Sequence, residues 1–178
     1  SSEDEEIVLA TIPRFPVELV FMEKMEYTLD DLMGDQELND SEWFSILMQV
    51  IMTLLTYQRV FSFTHNDLHS SNIMFNETNK QFLLYKFENV YYKVPTFGRI
   101  AKIIDFGRSI YTYNDTVMCS DSFKPGGDAS TQYNTEPYYN AEKPRIEPNF
   151  SFDLCRLACS VYDDVVDDED DEEDNPNP

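Results

Sequence analysis

The first residues suited to chemistry lie in one short stretch. Residues 64–73 read Thr-His-Asn-Asp-Leu-His-Ser-Ser-Asn-Ile, which sets His65, Asp67 and Asn72 in the order H-x-D-x-x-x-x-N. Asp67 could face a hydroxyl group and orient it or accept its proton. This stretch therefore offers a candidate general base together with an amide oxygen on the same loop.

A second stretch, Ile104-Asp105-Phe106-Gly107, follows the apolar run 100–104. Mg²⁺ takes oxygen ligands and keeps some of its waters, so a carboxylate and an amide oxygen that converge with phosphates suffice to hold it. Asp105 and Asn72 meet that need. Phosphoryl transfer requires positioning and charge neutralisation, with little covalent work by the protein. The two stretches together predict a phosphotransfer site.

A purely structural interpretation stays open. In that case His65 packs in a core, and Asp67 and Asn72 satisfy the backbone of a turn. The Asp-Phe-Gly stretch is then only a bend, because Asp and Gly both favour turns. The predicted order of helix, loop, hairpin, strand and loop is the order required by the enzyme family that the two stretches resemble. This order favours the functional interpretation.

Together the two stretches resemble the catalytic loop and the magnesium-binding loop of the eukaryotic-type protein kinase family. The resemblance implies ATP and Mg²⁺, and Ser or Thr of a protein substrate as the acceptor. It implies Asp67 as base or orienting carboxylate, and Asn72 and Asp105 as magnesium ligands. His69 stands where serine/threonine kinases usually carry a Lys that contacts the transferred phosphate.

The same resemblance assigns binding and supporting positions. Backbone groups along the predicted hinge, from Glu23 to Met25, would contact adenine. Asp153, in Ser-Phe-Asp-Leu, matches a buried carboxylate that accepts hydrogen bonds from the catalytic loop. It could also be an ordinary acidic residue favoured in the first turn of a helix. The supporting structural positions are His65, Phe106, Gly107 and Asp153.

Two departures point to a divergent branch. Asn66 replaces the usual Arg after the catalytic His, so activation by phosphorylation is not expected. The Asp-Leu-His-x-x-Asn form resembles haspin-like kinases and the kinase-like proteins of large DNA viruses, although haspin itself lacks Asp-Phe-Gly. A small-molecule kinase of the aminoglycoside or choline type shares H-x-D-x-x-x-x-N, and a non-catalytic pseudokinase or scaffold is a further alternative.

The expected fold class is α+β, a partial kinase-like domain over residues 1–162 that is mostly the helical C-lobe with a few strands. No Gly-rich loop or strand lysine is recognisable, so the chain is expected to be a fragment that transfers phosphate poorly alone. The predicted elements are strands at 7–11 and 17–22, a short helix capped by Thr28, a long helix at 41–61, an inserted hairpin within about 80–99, an activation-type segment at 108–149 and a helix from 151.

Composition limits the partners. The 178 residues carry a net charge of −21, and ten of the twelve residues 163–174 are acidic. Residues 163–178 are therefore expected to form a disordered tail, with docking of a basic partner as a sharper possibility. The 13 Lys and Arg residues argue against nucleic-acid binding. No membrane span or signal peptide is expected, and three cysteines favour a reducing intracellular compartment, cytoplasmic or nuclear. The oligomeric state is left open.

Overall fold

The computed structural model describes the backbone of residues 12–173 and the side chains of residues 12–162, and the described part is α+β as expected. The helices are α1 (Leu29–Asp35), α2 (Asp40–Phe61) and α3 (Phe152–Glu173). The strands are β1 (Tyr27–Thr28), β2 (Ile73–Glu77), β3 (Phe82–Phe87), β4 (Val90–Pro95), β5 (Arg99–Ile103), β6 (Ile110–Tyr113) and β7 (Thr116–Cys119). Short 3₁₀ turns cover Ser70–Asn72, Phe106–Arg108 and Asp121–Phe123.

The central sheet has the order β1-β2-β5, with both pairings antiparallel. Ile73 lies opposite Ile103 in its register. Because one strand starts where the other ends, the residues just before β2 and just after β5 meet at one end of the sheet. Ile73 and Phe75 are fully buried there, so the two motif loops leave the sheet from a fixed apolar base.

Helix α2 has the predicted extent but a different cap. Asn39, rather than Asp40 or Ser41, accepts hydrogen bonds from the first free backbone N–H groups, and Glu42 completes a capping box. The helix contributes to the core through a buried face formed by Ile46, Val50 and Leu54. By length and composition this helix could also cross a membrane, a test that core helices of water-soluble proteins pass as well.

Helix α1 and the inserted hairpin agree with the sequence prediction. Thr28 caps α1 within a capping box. Strands β3 and β4 pair across Glu88 and Asn89, whose positive φ angles of 46° and 65° suit a two-residue hairpin turn. The hairpin packs on α2, where the Ser45 hydroxyl donates to the Pro95 carbonyl.

The N-terminal strand prediction is wrong for residues 17–22. This segment has no regular secondary structure, and its apolar side chains are exposed, with Phe21 at 92%. A strand requires a hydrogen-bonding neighbour, and among the described residues both sides of β2 are already taken, by β1 and by β5. The other predicted strand, 7–11, lies outside the described residues.

Two other segments differ from the prediction. Within 108–149, β6 and β7 form a hairpin across Asn114 and Asp115, an Asn-Asp pair with positive φ that is a turn signal in the sequence. Helix α3 continues to Glu173 and takes in most of the acidic block predicted to be disordered. The apolar face that starts α3 extends to Val161, so the helix is already nucleated where the acidic block begins. Residues 174–178 lie outside the described residues.

Candidate active site

The loop that carries the first motif is held at both ends. Thr64 exchanges two backbone hydrogen bonds with Ile110, with N···O distances of 2.8 and 3.0 Å. The loop then turns at Asn66, whose φ is 68°, and closes with the 3₁₀ turn before β2. Asn tolerates this left-handed conformation better than most residues. The loop geometry is therefore fixed by local sequence as well as by packing.

Asp153 lies beneath this loop and is completely buried. Its two carboxylate oxygens accept from the backbone N–H groups of His65 and Asn66, both at 2.8 Å. Burial raises the pKa of Asp153, and the two N–H donors oppose that rise in its pKa. The alternative of an ordinary first-turn acidic residue does not describe this side chain, because it is the acceptor for two buried loop donors.

His65 joins the two motif loops. The ring is fully buried, and its Nε2 lies 2.8 Å from the carbonyl oxygen of Ile104, the residue before Asp105. Its ring centroid lies 5.7 Å from that of Phe106 and 6.3 Å from that of Phe63. His65 thus packs in the core, as the structural interpretation predicted, and also fixes the second loop relative to the first.

The Asn72 amide is oriented by two contacts. Its Nδ2 donates to the carbonyl of Asp67 at 2.9 Å and lies 3.0 Å from Nε2 of His69. No donor among the described residues contacts Oδ1 of Asn72. The amide oxygen is therefore left for a ligand, and this is the atom that Mg²⁺ prefers.

Asp105 lies beside Asn72 at the end of the sheet. The N–H of Ile104 donates to the carbonyl of Asn72 at 3.0 Å, which aligns the two chains immediately before Asp105. Asp105 has φ of 59° and one carboxylate oxygen that accepts from the N–H of Gly107 at 3.2 Å. A Cβ at Gly107 would lie 3.0 Å from that oxygen, so glycine leaves room for the carboxylate. The side chain of Asp105 is solvent-exposed.

Asp67 forms an ion pair across the same end of the sheet. Its Oδ1 lies 3.3 Å from Nη1 of Arg108, and the Asp67 side chain is 24% exposed. The carboxylate is thus accessible to a substrate hydroxyl. Hydrogen-bond contacts link Asn72 to Asp67 and His69, and the backbone bond between Ile104 and Asn72 places Asp105 at the same end of the sheet.

The predicted hinge residues Glu23 and Met25 lie away from the ends of β2 and β5 where Asn72 and Asp105 meet. Glu23 accepts from Lys102 at 2.6 Å and from the amide of Asn76 at 2.7 Å, and the Lys102 contact lowers its pKa. Asn76 and Asn72 are separated by most of β2, so Glu23 does not join the cluster at the strand ends. Met25 is partly buried just before β1. The contact of backbone groups at Glu23 to Met25 with adenine stays a prediction.

Asn66 has a larger part in the site than the sequence indicated. Its Nδ2 donates to the carbonyl of Arg108 at 2.8 Å, and its Oδ1 accepts from the Tyr133 hydroxyl at 2.9 Å. Gln132 donates to the Asn66 carbonyl at 3.0 Å. Only the replacement of Arg was visible in the sequence. The partners could not be predicted, because they lie 42 to 67 residues away in the sequence.

The donor set fits magnesium rather than a metal held by protein alone. Within the part of the chain that the structure describes, no group of three or more His, Cys, Asp or Glu residues could hold a metal ion. One carboxylate and one amide oxygen suit a Mg²⁺ ion that takes its other ligands from water and phosphates. Asn72 and Asp105 therefore carry oxygen ligands of the kind that such a Mg²⁺ ion takes.

Three curated proteins are similar to parts of this chain. A 124-residue match covers 66% of the chain and 19% of the uncharacterized protein 098R of invertebrate iridescent virus 6, at 31% identity. The serine/threonine-protein kinase haspin homologs of Drosophila melanogaster and Arabidopsis thaliana match at 28% over 98 residues and 31% over 110 residues. These two matches cover 55% and 61% of the chain.

These similarities support a kinase-like relationship at low identity. The chain spans less than a fifth of the length of each of these relatives, with 17% for the Drosophila kinase and 18% for the Arabidopsis kinase. No family model matches the chain. The arrangement of the two motif loops and the Asp153 helix agrees with this kinase-like relationship.

Proposed function

We propose that this chain forms the catalytic-loop portion of an ATP-dependent protein kinase that phosphorylates Ser or Thr. The observation that carries the proposal is the meeting of Asp67, Asn72 and Asp105 at one end of the sheet, with Asn72 Oδ1 directed to no described donor. The names of the two haspin homologs add support for a Ser/Thr acceptor. In this proposal the whole protein, of which the chain is a part, binds ATP.

Each residue of the cluster has a distinct part in the proposed reaction. Asn72 and Asp105 would hold Mg²⁺, which supplies charge neutralisation at the phosphates when bound. Asp67 orients the acceptor hydroxyl and accepts its proton. His65 and Asp153 hold the loop so that Asp67 and Asn72 keep their relative positions. His69 orients the Asn72 amide, and its contact with the transferred phosphate stays a prediction.

The acidic character of the chain favours a basic protein substrate. The net charge of −21 would raise the local concentration of cationic partners and speed their association at low salt. We therefore propose Ser or Thr flanked by Lys and Arg as the acceptor. Because ATP is the phosphate donor, we place the reaction inside the cell.

Phosphate transfer by the protein from the complete open reading frame tests this function. A peptide library with Ser, Thr and Tyr acceptors, and a panel of aminoglycosides and choline, would be incubated with labelled ATP and Mg²⁺. Asp67→Asn should abolish transfer, whereas Asp121→Asn should not, because Asp121 is a highly exposed surface residue paired with Lys124. Transfer to a small molecule alone, or no transfer, would refute the proposal, and no transfer would favour a scaffold.

A further inference from the structure

Arg108 is held beside the candidate base by backbone contacts. It ends the 3₁₀ turn Phe106–Arg108 that follows the second motif. Its carbonyl accepts from the Asn66 amide at 2.8 Å, and the hydroxyl of Ser109 donates to the carbonyl of Phe106 at 2.8 Å. The backbone of Arg108 is thus fixed, while its side chain remains 37% exposed.

The guanidinium group of Arg108 has donors left for another partner. Its Nη1 lies 3.3 Å from Oδ1 of Asp67. A guanidinium carries five N–H donors in a planar fork that matches phosphate as well as carboxylate. With Asp67 as its ion-pair partner among the described residues, the guanidinium has several donors left for an anion that lies next to the same carboxylate.

His69 is engaged by the Asn72 amide, with its Nε2 atom 3.0 Å from Nδ2 of Asn72. Five other cations are already paired with carboxylates outside the cluster residues: Lys102 with Glu23, Arg99 with Glu42, Arg59 with Glu88, Lys124 with Asp121 and Arg145 with Glu147.

We propose that Arg108 is a further catalytic residue, whose guanidinium group binds the oxygens of the phosphoryl group during transfer. This inference rests on the proposed function. The acceptor oxygen bonds to the γ-phosphorus while the bond from that phosphorus to the bridging oxygen breaks, and ADP leaves with the electron pair. The acceptor proton passes to Asp67. Arg108 stays protonated throughout and neutralises charge on the transferred oxygens.

An inhibitory role for Arg108 would change kcat in the opposite direction. If the ion pair only masks Asp67 from substrate, removal of the guanidinium should expose the carboxylate and raise the rate. If Arg108 stabilises the transferred group, removal should lower kcat. The direction of the change in kcat therefore decides between catalysis and inhibition.

The test compares Arg108→Met and Arg108→Lys in the protein from the complete open reading frame. Arg59→Met is the matched control, because Arg59 also pairs with a carboxylate, Glu88 at 3.0 Å, but on the inserted hairpin. Arg108→Met should lower kcat about 100-fold or more, as loss of a preorganised donor does in other enzymes. The peptide KM should change little, and Arg108→Lys should recover part of kcat because it restores the charge.

A binding measurement tests the contact between Arg108 and the transferred phosphoryl group without turnover. Affinity for Mg²⁺ and ADP with aluminium fluoride, a mimic of the group in transfer, should fall about 10-fold or more in Arg108→Met. Affinity for Mg²⁺ and ADP without fluoride should stay unchanged, and Arg59→Met should alter neither. An unchanged or higher kcat in Arg108→Met, while the wild-type protein is active, would overturn the inference but not the proposed function. An inactive wild-type protein would overturn both.

Discussion

Replacing Asp153 with Ala should weaken the whole loop that carries the candidate base. The carboxylate accepts from two buried N–H groups, those of His65 and Asn66, at 2.8 Å each. Hydrogen bonds to a charged group contribute about 1.5–3 kcal/mol each, and two unpaired buried donors remain after the change. Burial of the carboxylate offsets part of this gain, as its raised pKa indicates. We therefore expect the free energy of unfolding to fall by about 3 kcal/mol.

Urea denaturation measures this loss, and the pH dependence gives a second test of its origin. A carboxyl whose pKa is higher in the folded state holds its proton more tightly there, so its contribution to stability is fully present below the unfolded pKa. That pH-dependent part of the stability is lost as the pH rises through the folded pKa, whereas the two hydrogen bonds to the loop remain. The stability advantage of the wild-type protein over Asp153→Ala should therefore shrink as the pH rises above about 4.

The control is Asp121→Ala, because the Asp121 side chain is 79% exposed and pairs only with Lys124 among the described residues. Asp121→Ala should lower the free energy of unfolding by less than about 1 kcal/mol, because exposed ion pairs contribute little to stability. Asp153→Asn keeps one acceptor oxygen and should lie between the control and Asp153→Ala. Equal losses for Asp153→Ala and Asp121→Ala would show that Asp153 does not hold the loop.

Three other changes test neighbouring parts of the site. Burial, followed by the negative charge of Asp153, raises the pKa of Tyr133 to about 12. In a pH titration followed by absorbance, the wild-type protein should therefore form one more phenolate near pH 12 than Tyr133→Phe does. Asn66→Ala should lower the free energy of unfolding by about 2 kcal/mol, since it removes the contacts to Arg108 and Tyr133 and places Ala at positive φ. Asn66→Gly loses the same contacts without the strain at positive φ, so its stability should be closer to that of the wild type if strain dominates. Asp105→Ala should lower Mg²⁺-dependent ATP affinity, measured by calorimetry, at least about 10-fold if it is a metal ligand, and unchanged affinity would remove it from the site.

Local signals in the sequence were enough to predict the elements that carry the motifs. The Thr28 cap, the apolar face of α2 and the Glu88-Asn89 turn each depend on residues within a few positions. Such patterns act through backbone preference and burial, so they can be read without tertiary information.

The errors arose where a segment depends on distant partners. The apolar residues 17–22 read as a strand, but the described part of the chain supplies no neighbouring strand for them. Helix α3 continued past the expected boundary because its buried start, with Leu157 at 2% exposure, nucleates the turns that follow. Arg108 was missed as a site residue because its contact with Asp67 joins positions far apart in sequence.

Asn66 occupies the position of the usual Arg without introducing a charge. An Arg at this position would introduce a buried charge that needs an anion, whereas Asn66 is 2% exposed and reaches Tyr133 and Arg108 through neutral hydrogen bonds. Those bonds connect the first motif loop both to the turn that carries Arg108 and to the irregular segment that follows. The segment is thus held against the loop by groups that need no phosphate, and the same amide that replaces Arg fixes the backbone of the proposed catalytic cation.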